Sequence, residues 1–141
     1  MKLRTILAGV LLSAALSAGA LAATEMYKAD LNGASEVPAT GSKGTGTASI
    51  TFDTASNTLT WKITYSGLTG PATMAHVHGP ASPGKNGPVV IKFSSADSPI
   101  DGSATLTAAQ AADLKAGMLY INVHTAENKG GEIRGQIEPA K

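Results

Sequence analysis

Two neighbouring segments of the chain alternate apolar and polar residues with a period of two. They are TASITFDT at residues 47–54 and TLTWKITYSG at residues 58–67. Such alternation is typical of a β-strand with one buried face and one solvent-facing face. The polar turn between the segments predicts that they form a hairpin. The apolar positions are Ala48, Ile50, Phe52, Leu59, Trp61, Ile63 and Tyr65.

Four further short segments are predicted to be strands: MYKADLNG, GPVVIKFSS, GMLYINVHT and GEIRGQIEP. One segment departs from this pattern, because Thr107 and Gln110 have the spacing of a helix capping box and Gly117 supplies a stop. We therefore expect a short helix over residues 108–116. The fold predicted is all-β, an antiparallel Greek-key β-sandwich or barrel with one short connecting helix.

The first 22 residues have the pattern of a cleavable signal peptide. Lys2 and Arg4 precede an apolar run at residues 5–16, and Ala20-Leu21-Ala22 offers a cleavage site, with a second one after Ala23. The run is shorter than the roughly 20 apolar residues of a membrane-spanning helix. No cysteine is present to carry a lipid anchor. We expect residues 23–141 to form one domain, periplasmic or secreted, with no membrane span.

Charge and motifs exclude several classes of function. Without the first 22 residues the chain has nine basic and ten acidic residues, a formal charge of −1, and it has no basic cluster. This gives no basis for a nucleic-acid partner or an anionic membrane. The chain also lacks cysteine, a GxSxG nucleophile motif and a phosphate-binding loop before a helix.

The chain has only three histidines, and two of them lie two residues apart in AHVHGPASPG. Side chains alternate along a strand, so Met74, His76 and His78 share one face while Ala75 and Val77 share the other. By the same alternation His124 lies opposite the aliphatic residues of its own strand. We predict that all three histidines lie on the outer face of the sheet, beneath loops 79–88 and 125–131.

Histidines at positions i and i+2 of a strand have Cα atoms about 6.5 Å apart, which lets both imidazoles reach one ion. A third imidazole from a neighbouring strand would complete a three-histidine site for copper or zinc, and the Met74 thioether would favour cuprous copper. Asn122 would support a ligand or form a cross-strand hydrogen bond. Arg134 would form a surface ion pair or guide an anion towards the metal. The alternative is that the histidines are solvated and bind nothing.

Three blocks of the chain resemble the successive blocks of the CHRD domain. They are LNGASEVPATGSKGTGTASITFD, LTWKITYSGLTGPATMAHVHGPASPGKNGPVVIKF and LTAAQAADLKAGMLYINVHTAENKGGEIRGQI. The resemblance runs from Leu31 to Ile137 and implies an extracellular β-sandwich domain. In bacterial members of this family the molecular activity is largely undefined.

A local resemblance to the copper,zinc superoxide dismutases rests on His76-Val77-His78, Val123-His124 and GGEIR at residues 130–134. It implies that the three histidines are copper ligands and that Arg134 guides an anion. The chain lacks a bridging histidine, the zinc-loop histidines and the cysteines of a stabilising disulfide. The histidine count excludes a binuclear site and leaves a mononuclear copper site.

These observations lead to three hypotheses. The first is an exported protein that binds one metal ion, with copper as the first choice, through His76, His78 and His124. The second is a metal-free binding or structural module that meets a protein or surface partner. The third, a superoxide dismutase-like enzyme, is the least favoured, and we do not expect catalysis.

Overall fold

The computed structural model of this protein describes residues 14–15 and 21–141. Most of the predicted signal peptide lies outside the described residues, and both its cleavage and the domain boundary at residue 23 stay predictions. Within the described ranges no helix has the length and apolar character needed to cross a membrane.

The regular secondary structure of the described chain is almost entirely β-strand, which confirms the all-β prediction. One α-helix, α1 (Ala108–Lys115), connects β6 to β7, and a single 3-10 turn (Gly33–Ser35) follows β1. The strands in chain order are β1 (Thr24–Asn32), β2 (Thr45–Asp53), β3 (Thr58–Ser66), β4 (Ala72–His78), β5 (Val89–Lys92), β6 (Ile100–Thr105), β7 (Tyr120–Thr125), β8 (Ile133–Gln136) and β9 (Glu138–Pro139).

The strands form a nearly closed, barrel-like sheet in the order β5-β4-β7-β8-β1-β2-β3-β6, with β9 paired to β1. Every pairing is antiparallel. Three connections cross from one end of the strand order to the other: β3 to β4, β5 to β6, and β6 through α1 to β7. The segment after β5 spans the remaining gap: the Phe93 ring lies 4.8 Å from that of Trp61, and the Tyr65 hydroxyl donates to the Ala96 carbonyl at 2.6 Å.

The predicted hairpin is present as β2 and β3, with Asp53 opposite Thr58 at the turn. The Asp53 carboxylate accepts hydrogen bonds from the backbone amides of Ala55 and Ser56, both at 2.9 Å, and Asn57 has a φ of 54°. The alternation also identified the buried face correctly. Of its seven apolar positions, six are at most 6 % exposed, namely Ala48, Ile50, Phe52, Leu59, Trp61 and Ile63.

The predicted helix is present as well. The Thr107 hydroxyl accepts from the Gln110 amide and the Gln110 side chain accepts from the Thr107 amide, so the capping box is complete. Gly117 has a φ of +72° just after the helix, a conformation that favours glycine. Strand β6 was not predicted, because Gly102 interrupts its alternation where the strand lies directly against the Trp61 ring.

Strand β7 lies in the interior of the sheet and is buried on both faces. One face contributes Ile121 and Val123 to the hydrophobic core, as the alternation predicted. The opposite face carries Tyr120, Asn122 and His124, each at most 7 % exposed. Loops therefore cover a second, polar layer on the outer side of the sheet.

Candidate metal centre

Pairing of β4 with β7 brings the three histidines together. In the register of these strands His76 lies opposite Asn122, and His78 lies opposite Tyr120. One ring nitrogen from each of His76, His78 and His124 falls within 4.8 Å of the other two. The ring centroids of His76 lie 5.0 Å from His124 and 5.4 Å from His78.

The histidines lie on the predicted face of the sheet, but that face is covered. His76 and His124 are each only 7 % exposed, and His78 is half-buried. The solvent exposure that the alternative assumed is therefore wrong for His76 and His124, and metal binding stays a prediction. The physical reason for the burial is that the two loops predicted to lie above the histidines fold down onto them.

Hydrogen bonds to backbone carbonyls of the two loops identify the protonated ring nitrogen of two histidines. Nδ1 of His78 lies 2.9 Å from the Gly87 carbonyl oxygen, and Nδ1 of His124 lies 2.7 Å from that of Lys129. Since a carbonyl only accepts, each Nδ1 donates, and a neutral ring then has its lone pair on Nε2. The His78 Nε2 atom is buried and has no hydrogen-bond partner in the described chain, while the His124 Nε2 lies 3.2 Å from Nδ1 of His76.

Burial keeps two of the rings uncharged near neutral pH. It lowers the pKa of His76 to about 4, and the neighbouring His124 and His78 act in the same direction. Burial also lowers the pKa of His78, more than the hydrogen bond to Gly87 raises it. Neutral imidazole is the form that binds a metal ion.

Asn122 and Met74 are placed very differently. The Asn122 side-chain oxygen lies 3.0 Å from the Nε2 atom of His124, and its amide nitrogen donates to the Gly130 carbonyl at 3.4 Å. Met74 is opposite His124 in the strand register but is 50 % exposed. The structure thus brings Asn122 into the buried cluster and leaves Met74 at the surface.

The surface ion pair predicted for Arg134 is wrong, because this side chain is only 1 % exposed. Its guanidinium donates to the Asn86 side-chain oxygen at 3.0 Å and to the Lys85 carbonyl, both in the loop that follows β4. The guanidinium carbon lies 3.5 Å from the centre of the Tyr120 ring, which in turn stacks on the His78 ring with centroids 4.9 Å apart. Arg134 therefore holds the covering loop on the polar layer, and its role as an anion guide stays a prediction.

Glu36 is a buried member of the polar layer that sequence reasoning missed. It is 5 % exposed, and its Oε1 atom has no hydrogen-bond partner among the described residues. Burial raises the pKa of Glu36 to about 7, although Arg134 and the Asn122 amide act in the opposite direction. A lone glutamate in a stretch of small and turn-forming residues carries no periodic signal that could have predicted this.

Glu132 was also missed, and it joins three loops beside the histidine cluster. The fully buried carboxylate accepts hydrogen bonds from the Ser42 hydroxyl at 2.8 Å, the Thr125 hydroxyl at 2.8 Å and the Asn128 amide at 3.1 Å. It also accepts from the backbone amide of Thr69 at 2.9 Å and from the Thr69 hydroxyl. Burial raises the pKa of Glu132, but these hydrogen bonds outweigh burial and lower it to about 2.

Comparison with protein families gives one match, in which the family model of the CHRD domain covers residues 27–137. The chain belongs to the CHRD-domain family. The matched region of this CHRD domain includes all three histidines and the surrounding polar layer, and CHRD domains are generally extracellular. Searches of curated proteins and of solved structures return no match. The likeness to superoxide dismutases rests on the short motifs alone.

Proposed function

We propose that this CHRD domain binds one metal ion, with copper as the preferred ion, through His76, His78 and His124. The observation that carries the proposal is the convergence of three buried or half-buried imidazoles, with one nitrogen from each inside a 4.8 Å span. The buried Nε2 of His78, which has no hydrogen-bond partner in the described chain, supports it further. Buried polar atoms in native proteins are normally satisfied, and such an exception points to a missing ligand.

The hydrogen bonds to the loops identify the donor atoms. His78 and His124 bind through Nε2, because their Nδ1 atoms donate to backbone carbonyls. A carbonyl partner of this kind fixes ring orientation and raises ligand basicity. His76 binds through Nδ1, the atom that lies 3.2 Å from Nε2 of His124, and carries its proton on Nε2 in the bound form.

Distances between the donor atoms are compatible with one ion. Two nitrogens at about 2.0–2.1 Å from a shared ion are at most about 4.2 Å apart, and the His76–His124 pair at 3.2 Å satisfies this limit. If the widest pair stands at the full 4.8 Å, those two nitrogens approach each other by at least about 0.6 Å on binding. Imidazole nitrogen suits both copper and zinc, and divalent copper binds more tightly than zinc to a given set of such donors.

Titration with Cu²⁺ tests the proposal. The wild-type domain is expected to bind one ion per chain, and His76→Ala, His78→Ala and His124→Ala are each expected to weaken binding by more than about 100-fold, since each loses a direct ligand. Calorimetry gives the stoichiometry and affinity, and circular dichroism verifies the fold. Met26→Ala, at a half-exposed methionine of β1, is the control and should bind as the wild type does. Unchanged binding by the three histidine variants would contradict the proposal.

The same protein preparation also tests the other two hypotheses, the metal-free module and the superoxide dismutase-like enzyme. If the wild-type domain binds neither Cu²⁺ nor Zn²⁺, the function is that of a metal-free module for a protein or surface partner. Superoxide dismutation would require an open coordination position on the metal. Consumption of superoxide by the copper-loaded domain would favour that activity over simple metal binding.

We also infer that the domain acts outside the cytoplasm after removal of residues 1–22. Membership of a family that is generally extracellular supports this, together with the leader-like pattern of the first residues. Expression of the full chain in a bacterial host is expected to yield a periplasmic or secreted product that begins at Ala23 or Thr24. N-terminal sequencing checks this, and an exported product that still begins at Met1 would contradict it.

A further inference from the structure

We propose that the side-chain oxygen of Asn122 is a fourth donor to the metal ion, so that the site is a closed set of three nitrogens and one oxygen that prefers cupric to cuprous copper. This inference rests on the proposed function. It extends that function by assigning a ligand and an oxidation state to the same site.

The side-chain oxygen of Asn122 lies where a metal ligand would lie, rather than behind one of the histidine ligands. Its Oδ1 atom lies 3.0 Å from the Nε2 atom of His124, which faces the cluster, and Asn122 is 3 % exposed. Two adjacent donors at about 2.0–2.1 Å from one ion lie about 2.8–3.0 Å apart in square-planar geometry and about 3.3–3.4 Å apart in tetrahedral geometry. The 3.0 Å separation from Asn122 and the 3.2 Å separation from His76 span these values, so Nε2 of His124 can be adjacent to both other donors in one coordination sphere.

The contact between Asn122 and His124 lacks a proton when the ring is neutral. Nδ1 of His124 already donates to the Lys129 carbonyl, so Nε2 has a lone pair. The amide oxygen also presents lone pairs, and the two acceptors face each other inside the protein. Two buried acceptors at hydrogen-bond distance are unfavourable without a positive group that both can contact. A metal ion is such a group.

The surroundings of Asn122 determine which end of its amide faces the histidines. On the far side lie the Gly130 carbonyl, 3.4 Å from Nδ2, and the buried carboxyl of Glu36. Nδ2 of Asn122 and Oε1 of Glu36 both lie close to the point that a β-carbon at position 131 would occupy. Since both groups on that side accept hydrogen bonds, the amide nitrogen belongs there and the oxygen faces the metal site. Glu36 is thus a positioning residue for Asn122.

An amide oxygen changes which ions the site prefers. Cuprous copper is selected by soft thiolate and thioether donors, whereas oxygen is a harder donor, and some copper sites carry a weak glutamine or backbone oxygen ligand. Met74, the thioether nearest in the register, is half exposed. Four protein donors also leave no open coordination position, which is typical of sites that hold a metal rather than use it in catalysis, and nitrogen and oxygen donors suit the tetragonal geometry of divalent copper. The chemistry points to a holder of divalent copper.

Affinities for Cu²⁺ and Cu⁺ measured side by side test the inference. Asn122→Ala is expected to lower the Cu²⁺ affinity by about tenfold or more while changing the Cu⁺ affinity by less than about threefold. Asn122→Met is expected to bind Cu⁺ more tightly than the wild type does. Asn122→Asp, which keeps an oxygen of the same reach, should retain Cu²⁺ binding and covers the case in which the alanine variant does not fold.

The matched control is Gln136→Ala. Gln136 lies in β8 opposite Tyr120 and donates to the Ala81 and Gly117 carbonyls rather than to the histidines, so both copper affinities should stay at the wild-type values. Glu36→Leu should give a smaller loss of Cu²⁺ affinity, which Glu36→Gln restores because it keeps an acceptor oxygen. A Cu²⁺ affinity in Asn122→Ala equal to that of the wild type would overturn the fourth donor and leave the three-histidine site standing. A wild-type domain that binds no copper would overturn both.

Discussion

Replacement of Glu132 with alanine is expected to lower the free energy of unfolding by about 4 kcal/mol, because buried groups that lose a charged partner are costly. The carboxylate is fully buried and accepts hydrogen bonds from Ser42, Thr69, Thr125 and Asn128. Without it, donors from three separate loops lose their common acceptor. Urea denaturation at neutral pH measures the difference from the wild type.

The same residue predicts an acid dependence with a definite sign. The pKa of Glu132 is lowered from an ordinary value of 4.5 to about 2 in the folded chain. Its contribution to stability is therefore complete above pH 4.5 and is lost as the pH falls towards 2. The stability gap between the wild type and Glu132→Gln should narrow over that interval.

The control for both measurements is Glu127→Gln, at an exposed glutamate of the same loop. It should change the free energy of unfolding by less than about 0.5 kcal/mol. Equal stability of Glu132→Gln and Glu127→Gln at neutral pH would show that the buried carboxylate does not stabilise the loops.

Replacement of Gly131 with alanine is expected to cost about 3 kcal/mol of stability and to weaken Cu²⁺ binding as well. Gly131 has a φ of +124°, which a residue with a β-carbon rarely adopts. A β-carbon there would overlap Oε1 of Glu36 and lie 2.7 Å from Nδ2 of Asn122. Both groups are buried and have little room to move away, so the added β-carbon would displace the Asn122 amide that we propose as a ligand.

The neighbouring glycine provides a matched comparison. A β-carbon at Gly130 would meet no atom within 4 Å, so Gly130→Ala should leave both stability and Cu²⁺ affinity within about 0.5 kcal/mol of the wild-type values. Denaturant unfolding and copper titration of the two variants check this. Similar losses in both variants would mean that the loop, rather than the space beside Glu36 and Asn122, is sensitive to substitution.

Local patterns predicted those parts of the fold that depend on neighbours in the sequence. The alternation around Ile50 and Trp61 identified a hairpin and its buried face, and the pair Thr107 and Gln110 identified the start of the helix. Strand β6 was not predicted because Gly102 contributes no side chain to the alternation. The Trp61 ring lies so close to this position that a β-carbon there would overlap it, which favours glycine. That contact links distant segments, and a single sequence carries no signal for it.

The same distinction between local patterns and contacts of distant segments applies to the candidate site. Side-chain parity correctly assigned His76, His78 and His124 to the outer face, because parity is a property of each strand alone. Which strands are neighbours was not predictable, and neither was how closely the two loops predicted to lie above that face pack onto it. Arg134 and Glu36 are buried only because loops that are distant in sequence fold over them, so their roles could be determined only from the structure.

Strands β4 and β7 pair directly although His76 and His124 are 48 positions apart. In the unfolded chain only His76 and His78, two residues apart, can still bind one ion together. His124 is no longer held beside them. A copper ion would consequently distinguish the folded from the unfolded form, and its binding free energy would add to the stability of the folded form in proportion to the logarithm of the free ion concentration. Copper availability outside the cell would then set how resistant the domain is to unfolding and proteolysis.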